Sequence, residues 1–338
     1  MKNTLLWILD AFGINALFRR LHQNKAIILM YHGISDDHFT LLKGYDDRHI
    51  PTSSFKKQVK YLKKKGYIFT NMSDLVCAIK KKENLARYVA LTFDDGLLNV
   101  IENAYPIMQE FDAKGCYYLV SDLIGSNQLL WTDFVETAIR NQKNGVFHFT
   151  FKGADYRYNL DRSNDLEFAM KDVKTKLRSL PDKERLEHLD QFGEVDLSSI
   201  PKEFKISTWE QIRELDPELM EIGCHTKTHP NCDRLTSDSE LEKELVLSKR
   251  DIEYFNENHI IHFCYPAGAY NDTVIEKIKQ SEYESAVTTE YGFVDTNSAL
   301  FKLKRIDPSD NFLLFKARIS GTIGFLHIMK SLKRAMIK

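Results

Sequence analysis

The stretch Tyr88-Val89-Ala90-Leu91-Thr92-Phe93-Asp94-Asp95-Gly96 decides how this chain is read. Its first six residues are a short apolar run of β-branched and aromatic side chains, the pattern of a buried strand. Two adjacent carboxylates follow where the strand ends, and then a glycine. Neighbouring side chains of a regular strand point to opposite faces, so a continuing strand would separate Asp94 from Asp95. Gly96 lets the backbone leave the strand and brings both carboxylates to one place. Two like charges held close repel, and a metal ion or a shared proton relieves them. A polar turn after a core strand is the competing reading of the same residues.

On either side of this stretch, short apolar runs alternate with charged helical patterns, the signature of a parallel α/β sheet. Residues 26–31 read as a first strand ending at His32-Gly33. A helix over 54–65 carries Phe55, Val59 and Leu62 at helical spacing, with Lys63-Lys64-Lys65 where the dipole favours cations, and Gly66 stops it. Further strands are predicted at 67–70, 116–120, 219–224, 260–265, 285–288 and 301–305, with helices at 73–82, 100–111, 209–215, 241–255 and 273–279. Seven or eight such units imply an α/β fold closed, or nearly closed, as a (β/α) barrel. The alternative, an open doubly wound sheet, lacks a G-x-G-x-x-G after any strand.

The alternation breaks between 152 and 205, where 23 of 54 residues are charged against 28% for the chain. Leu166, Ala169, Val173, Leu177 and Leu180 mark a helix there with one apolar face. This charged helical insertion, about 128–205, is expected to lie over one face of a barrel spanning 26–310. Leu130-Trp131-Thr132-Asp133-Phe134-Val135 precedes it, either anchoring the insertion or lining a groove.

A length of 338 residues and 43% hydrophobic content suffice for a large core, and a net charge of −1 argues for no nucleic-acid partner. The five cysteines (Cys77, Cys116, Cys224, Cys232, Cys264) form no C-x-x-C pair, which suggests neither a disulfide framework nor a zinc ribbon and favours a reducing compartment. In residues 1–25, Leu5, Leu9, Phe12, Leu17 and Leu21 fall on one helical face. The apolar run is too short to span a bilayer and is followed by no cleavage site. It is expected to be an amphipathic helix packed on the barrel, with a membrane surface as the alternative. The tail, 311–338, has no acidic residue and carries Lys316, Arg318, Lys330, Lys333, Arg334 and Lys338, interleaved with Phe325, Ile328, Met329 and Leu332. It reads as a basic amphipathic helix that docks on the barrel or meets an anionic membrane surface. The expected location is cytoplasmic, peripheral at the inner membrane face.

A further motif is Glu221-Ile222-Gly223-Cys224-His225-Thr226-Lys227-Thr228-His229-Pro230. Two histidines four apart just past a strand can turn both imidazoles to one point, and two imidazoles with a carboxylate make a common catalytic metal site. In Phe263-Cys264-Tyr265-Pro266-Ala267-Gly268, Pro266 and Gly268 fix a loop whose backbone N–H groups can face an oxyanion. His32, Asp94, Asp95, His225, His229, Tyr265 and Arg305 all fall at the C-terminal ends of predicted strands, the rim where barrel active sites are built.

Thr92-Phe93-Asp94-Asp95-Gly96, His225-Thr226-x-x-His229-Pro230 and Tyr265-Pro266-Ala267-Gly268 resemble, in order, the leading motifs of the polysaccharide deacetylases, the NodB-like carbohydrate esterases. The resemblance covers roughly residues 26–306 without the insertion. It implies a distorted (β/α) barrel and metal-dependent removal of N-acetyl groups from a sugar in a polysaccharide or lipid-linked glycan. It assigns Asp94 as general base, Asp95, His225 and His229 as metal ligands, the Ala267 N–H to the oxyanion, and Thr226 to bracing the histidine loop. Tyr265 and Pro266 belong to the same substrate loop. Zinc suits this donor set best, with cobalt, nickel, manganese or iron as alternatives. Cys264 stands where many members have an arginine that orients the base, and Arg305 is expected to supply that cation. Met30-Tyr31-His32-Gly33 is similar to the exopolysaccharide-deacetylase branch and makes His32 the expected proton donor, ahead of His327 in Phe325-Leu326-His327. Competing readings are an inactive glycan-binding protein on the same scaffold, and an amidase or deformylase acting on another small amide.

Overall fold

The structure, a computed structural model, describes residues 3–37, 48–142, 145–193 and 200–326. The chain opens with α1 (Asn3–Ala11) and α2 (Ile14–Leu21), then forms β1 (Ile27–Tyr31), β2 (Gly33–Ser35), β3 (His49–Pro51) and α3 (Thr52–Lys64). Next come β4 (Ile68–Phe69), α4 (Met72–Lys80), β5 (Tyr88–Phe93), α5 (Tyr105–Phe111) and β6 (Gly115–Leu119). The insertion supplies α6 (Trp131–Arg140), β7 (Val146–Phe151), β8 (Ala154–Asn159), α7 (Ser163–Arg178) and α8 (Asp182–Leu189). The alternation resumes with α9 (Trp209–Arg213), β9 (Met220–Cys224), α10 (Asp238–Leu241), α11 (Ser248–Asn256) and β10 (His262–Cys264), and ends with α12 (Asp272–Gln280), β11 (Ser285–Tyr291), β12 (Leu303–Arg305) and α13 (Phe312–Ser320).

Seven parallel strands form the barrel in the order β1-β5-β6-β9-β10-β11-β12. β5 pairs with β1 from Ile27↔Val89 to Tyr31↔Phe93 and with β6 at Leu91↔Gly115. Val89 to Phe93 are all buried, as a strand covered on both faces requires. The approach of β6 to β5 needs glycine at 115, since a Cβ there would lie 2.6 Å from the Leu91 carbonyl oxygen. Closure comes one residue past β12: Ile306 N–H donates to Ile28 O at 2.7 Å, and Met30 N–H donates to Ile306 O at 3.1 Å. The barrel is thus the expected α/β fold with seven strands, and β4 is a two-residue spur on the start of β5.

Between β6 and β9 the insertion builds its own core from Trp131, Val135, Phe147, Phe149, Val173 and Leu177. The predicted helix is α7, with Ala169, Val173 and Leu177 buried. The sequence reading missed the antiparallel hairpin β7–β8, whose signal was the alternation Phe147, Phe149, Phe151 before Lys152-Gly153. Those two residues have φ of 50° and 78°, the left-handed pair that a two-residue hairpin turn demands.

The N-terminal end departs from expectation, and the described part of the C-terminal tail takes the docked form of its two readings. The N-terminal segment is two helices broken at Gly13, whose φ is 72°. Leu6 packs against Ala317 and Ile323, while Leu5, Phe12, Leu17 and Leu21 of the expected buried face are exposed. The break rotates the face that one continuous helix would have kept together. The first part of the expected tail is α13, docked through Phe315, Ala317 and Ile319. Its cations are paired, Lys316 with Asp10 and Arg318 with Asp307. His327, Ile328, Met329, Lys330, Leu332, Lys333, Arg334 and Lys338 lie outside the described residues.

Candidate active site

Asp94 is the first residue past β5, its N–H donating to Tyr31 O at 3.0 Å. Arg305, the last residue of β12, grips it with two bonds: Nη1 to Oδ1 and Nη2 to Oδ2, each 2.7 Å. The guanidinium is itself fixed, with Nε donating to Thr288 O at 2.8 Å and Nη1 to Thr92 Oγ1 at 3.1 Å. Both partners are buried. Burial would raise the Asp94 carboxyl, but the charge and hydrogen bonds of Arg305 outweigh it and hold it below the ordinary value. Cys264 Sγ lies 3.4 Å from Asp94 Oδ2 and 3.3 Å from Arg305 Nη2. Where the resemblance led one to look for arginine there is a thiol, and the cation arrives from β12 instead.

Asp95 turns away from the strand with φ of 79°, followed by Gly96 at 78°. Its Oδ1 stands 3.5 Å from His225 Nε2 and 3.5 Å from His229 Nε2, and the two rings meet at 71°. His225 follows β9 and donates from Nδ1 to Cys264 O at 2.8 Å, which turns Nε2 toward Asp95. His229 is positioned by its N–H, which donates to Thr226 Oγ1 at 3.0 Å. Thr226 and His229 both have left-handed φ, 67° and 62°. Three residues other than glycine with left-handed φ in one cluster mark a backbone held in place by its surroundings. Part of that hold is Glu244, whose carboxylate accepts the N–H groups of Lys227 and Thr228 at 2.9 Å each. Glu244 lies in a π-helical turn, Glu242–Leu247, leading into α11; sequence reading missed it because its function depends on that turn.

Burial pushes His229 down to about 3 against the pull of Asp95, so its imidazole is neutral near pH 7. Asp95 is held far below the ordinary carboxylate range by the His225 hydrogen bond and the neighbouring imidazoles, although burial opposes this. A carboxylate and two imidazoles converging within 4.8 Å, one ring oriented by a carbonyl, fit a divalent cation. His229 Nδ1 is buried with no hydrogen-bond partner among the described residues. A second convergent set, Asp94, His225 and Cys264, suits a cation poorly: Arg305 already neutralises Asp94, and burial pushes the Cys264 thiol up, keeping it protonated.

Asp94, Asp95, His225 and His229 floor a groove of about 590 Å³ on the barrel rim. His32, just past β1, lies 3.9 Å from Asp94 Oδ2 through Nε2. Ala267, with φ of 53°, lines the groove on the side of β10. Tyr265 does not: it is buried beside the rim and its hydroxyl donates to Phe301 O at 3.0 Å, and Pro266 is buried with it. Strand alternation turns the tyrosine ring into the core and leaves the loop backbone to face the groove. The opposite wall belongs to the insertion, with Trp131 and Thr132 from α6 and Lys171, Lys174 and Arg178 from α7. Trp131 therefore both anchors the insertion core and lines the groove. Arg48 was missed from sequence, since nothing near it in the chain signals a site. Its Nη1 is 3.6 Å from Asp95 Oδ2, and its Nη2 donates to Asp133 on α6. Asp133 is fully buried, which pushes its carboxyl up to about 6 against the pull of Arg48.

With the fold and groove in view, comparison with known proteins assigns the family. The family model described as polysaccharide deacetylase matches residues 81–286, more than half of the chain. The Bacillus subtilis protein YxkH is 20% identical over 283 residues, covering 83% of this chain and 71% of that one. The Staphylococcus aureus poly-beta-1,6-N-acetyl-D-glucosamine N-deacetylase is 24% identical over 152 residues, 42% of this chain and only about half (52%) of the relative. The Streptococcus pyogenes deacetylase PplD, solved in complex with acetate, superposes with a TM-score of 0.58 at 21% identity, covering 85% of this chain and 93% of that one. The chain belongs to the polysaccharide deacetylase family.

Proposed function

We propose that this polysaccharide deacetylase is a metal-dependent N-deacetylase that hydrolyses the acetamide of an N-acetylated sugar in a polysaccharide or lipid-linked glycan. One observation carries the reading: Asp94 and Asp95, adjacent in sequence and both buried, are given opposite kinds of partner at the floor of one groove. Asp95, His225 and His229 would hold a divalent cation, zinc by the chemistry of the donors. When bound, that cation supplies Lewis acidity to the acetamide and lowers the pKa of water.

The protein's own groups do the rest. Arg305 keeps Asp94 ionised and aimed, so the carboxylate is ready to take a proton from water as it attacks the acetamide carbon. The Ala267 backbone flanks the carbonyl oxygen as it gains charge. The C–N bond then breaks, acetate leaves, and the amine takes a proton from His32, which stands beside Asp94. Trp131, its ring backed by Arg185, lends an apolar stretch to the groove wall.

The test is acetate release from an N-acetylglucosamine oligomer by the purified chain, with and without chelator, followed by metal replacement. Release that stops with chelator and returns with zinc supports the reading. Unchanged release in chelator removes the metal from it. No release with any divalent metal, from the oligomer or from a small acetamide, leaves a glycan-binding protein on a deacetylase scaffold.

A further inference from the structure

The flank of the barrel along α13, and the cavity at the starts of its strands, carry a surface that deacetylation does not use. Six of the fourteen large apolar side chains exposed among the described residues lie between positions 5 and 21. Phe12 is 76% exposed, Leu21 68%, Trp7 59% and Leu17 55%. A seventh, Phe325, packs on Phe18 with ring centroids 5.0 Å apart, extending the same patch. The α1–α2 hairpin is thus anchored by Leu6 on one side and bare on the other.

Beside α2 lies a cavity of about 630 Å³ lined by Arg19, Arg20, Lys25, Lys65 and Arg87 and by no carboxylate. Arg19 is held against Tyr61 Oη at 3.2 Å, and Arg87 Nη1 donates to Lys65 O at 2.6 Å, so parts of this basic wall are fixed in place. Lys25 pairs with Asp295 at 3.3 Å. Leu17 belongs to both features, which makes apolar patch and basic cavity one continuous surface.

We propose that the α1–α2 hairpin and the basic cavity beside it dock the protein on an anionic lipid bilayer. Aromatic and aliphatic side chains interleaved with arginines are the composition of a helix that lies in a membrane interface. No described helix is long and apolar enough to cross a membrane. Charge decides between the two nearest occupants. Residues 327–338 follow Phe325 closely and include Lys330, Lys333, Arg334 and Lys338 but no acid. Folding that segment over the hairpin would gather like charges around the cavity, whereas anionic headgroups neutralise both. The cavity adjoins Ile27 and Arg87, at the start of β1 and just before β5, whereas His32 and Asp94 follow their ends. Five residues of strand separate the two ends by roughly 16 Å. Docking through the cavity keeps the groove, at the far ends of the same strands, clear of the lipid surface and open to a glycan chain.

The experiment is sedimentation of the full chain with phosphatidylcholine vesicles, with and without one-third phosphatidylglycerol, at low and high salt. Binding is expected to be at least about tenfold stronger to the anionic vesicles and to weaken with salt. Phe12→Ser/Leu17→Ser/Leu21→Ser and, separately, Arg20→Glu should each lower it about tenfold. Both variants should keep the wild-type melting temperature and activity on soluble oligomer, which keeps this test apart from that of the active site. Equal binding to neutral and anionic vesicles, or variants that bind like wild type, would overturn the proposal. So would a serine variant that changes only self-association in sedimentation velocity, since the occupant is then a second copy. Competition by inorganic phosphate at fixed ionic strength, with the serine variant binding normally, would leave a soluble-anion pocket and no docking.

Discussion

The two halves of the groove floor hold the same side chain in opposite ways. Asp94 faces a guanidinium, a cation that cannot lose its proton, and is thereby complete within the protein. Asp95 faces two imidazoles, of which His229 is neutral near pH 7, and the arginine near it, Arg48, stands 3.6 Å away and is shared with Asp133. One half is satisfied internally and the other is built to receive something. Adjacent, identical residues thus acquire different chemistry from the strand ends that face them.

The widest separation between the halves is expected from their own carboxylates. Asp95→Ala, His225→Ala and His229→Ala should each abolish bound metal and activity together, by at least about 10³-fold in kcat/KM. Asp94→Asn should retain stoichiometric metal while losing about 10²–10⁴-fold in rate. Metal content by mass spectrometry beside the rate constants checks both. If Asp94→Asn loses its metal as well, the floor is one unit and the comparison breaks.

Arg305→Ala comes next. It strands a buried carboxylate, which typically costs about 3–5 kcal/mol of stability, readable as a lower denaturation midpoint. The sign for activity follows from the same contact. Arg305 holds Asp94 below its ordinary pKa, so its loss raises that pKa and moves the acid limb of kcat/KM to higher pH. In the intact protein the depressed Asp94 contributes stability that is present above the unfolded carboxylate value and lost as pH falls through the folded one. Arg305→Lys should recover part of the midpoint; an unmoved acid limb in Arg305→Ala would remove Arg305 from the tuning of Asp94.

His32→Ala should lower kcat by roughly 10²-fold with metal content unchanged, and by more than His327→Ala. Equal losses would move the proton donor to the C-terminal histidine. The smallest effect concerns Asp133, the buried partner of Arg48. Its carboxyl, raised to about 6, is protonated in the folded state where the unfolded chain has already lost the proton. Stability contributed there is full below about pH 4 and falls as pH rises toward 6. Asp133→Asn should flatten that slope of the denaturation midpoint, and an unchanged slope would assign it to another group.

The barrel was legible because its signal is local: each apolar run closes with a polar residue, and those residues share a rim. The Asp-Asp-Gly strand end and the His-x-x-x-His spacing were legible for the same reason. Residues whose role comes only from packing were not. Glu244 acts through a π-helical turn, Arg48 through an insertion helix far along the chain, and Tyr265 points into the core although its neighbour Ala267 faces the groove. Four site residues other than glycine (Asp95, Thr226, His229 and Ala267) adopt left-handed φ that composition does not foretell. The N-terminal helix was misread because periodicity detects a face but not the break at Gly13 that divides it.

The seam between β12 and β1 bears on how the protein is made. Arg305 precedes the closing residue Ile306 and is 211 positions from Asp94. At about 5–20 residues per second, a ribosome adds that separation in roughly 10–40 s. Throughout that interval the nascent barrel lacks the cation that makes a buried, ionised Asp94 tolerable. Asp94 must therefore stay hydrated or protonated until the last strand docks. Closing the barrel and charging the proposed base are then a single late event, and a chain stalled before residue 305 lacks the ionised Asp94 as well as its final shape.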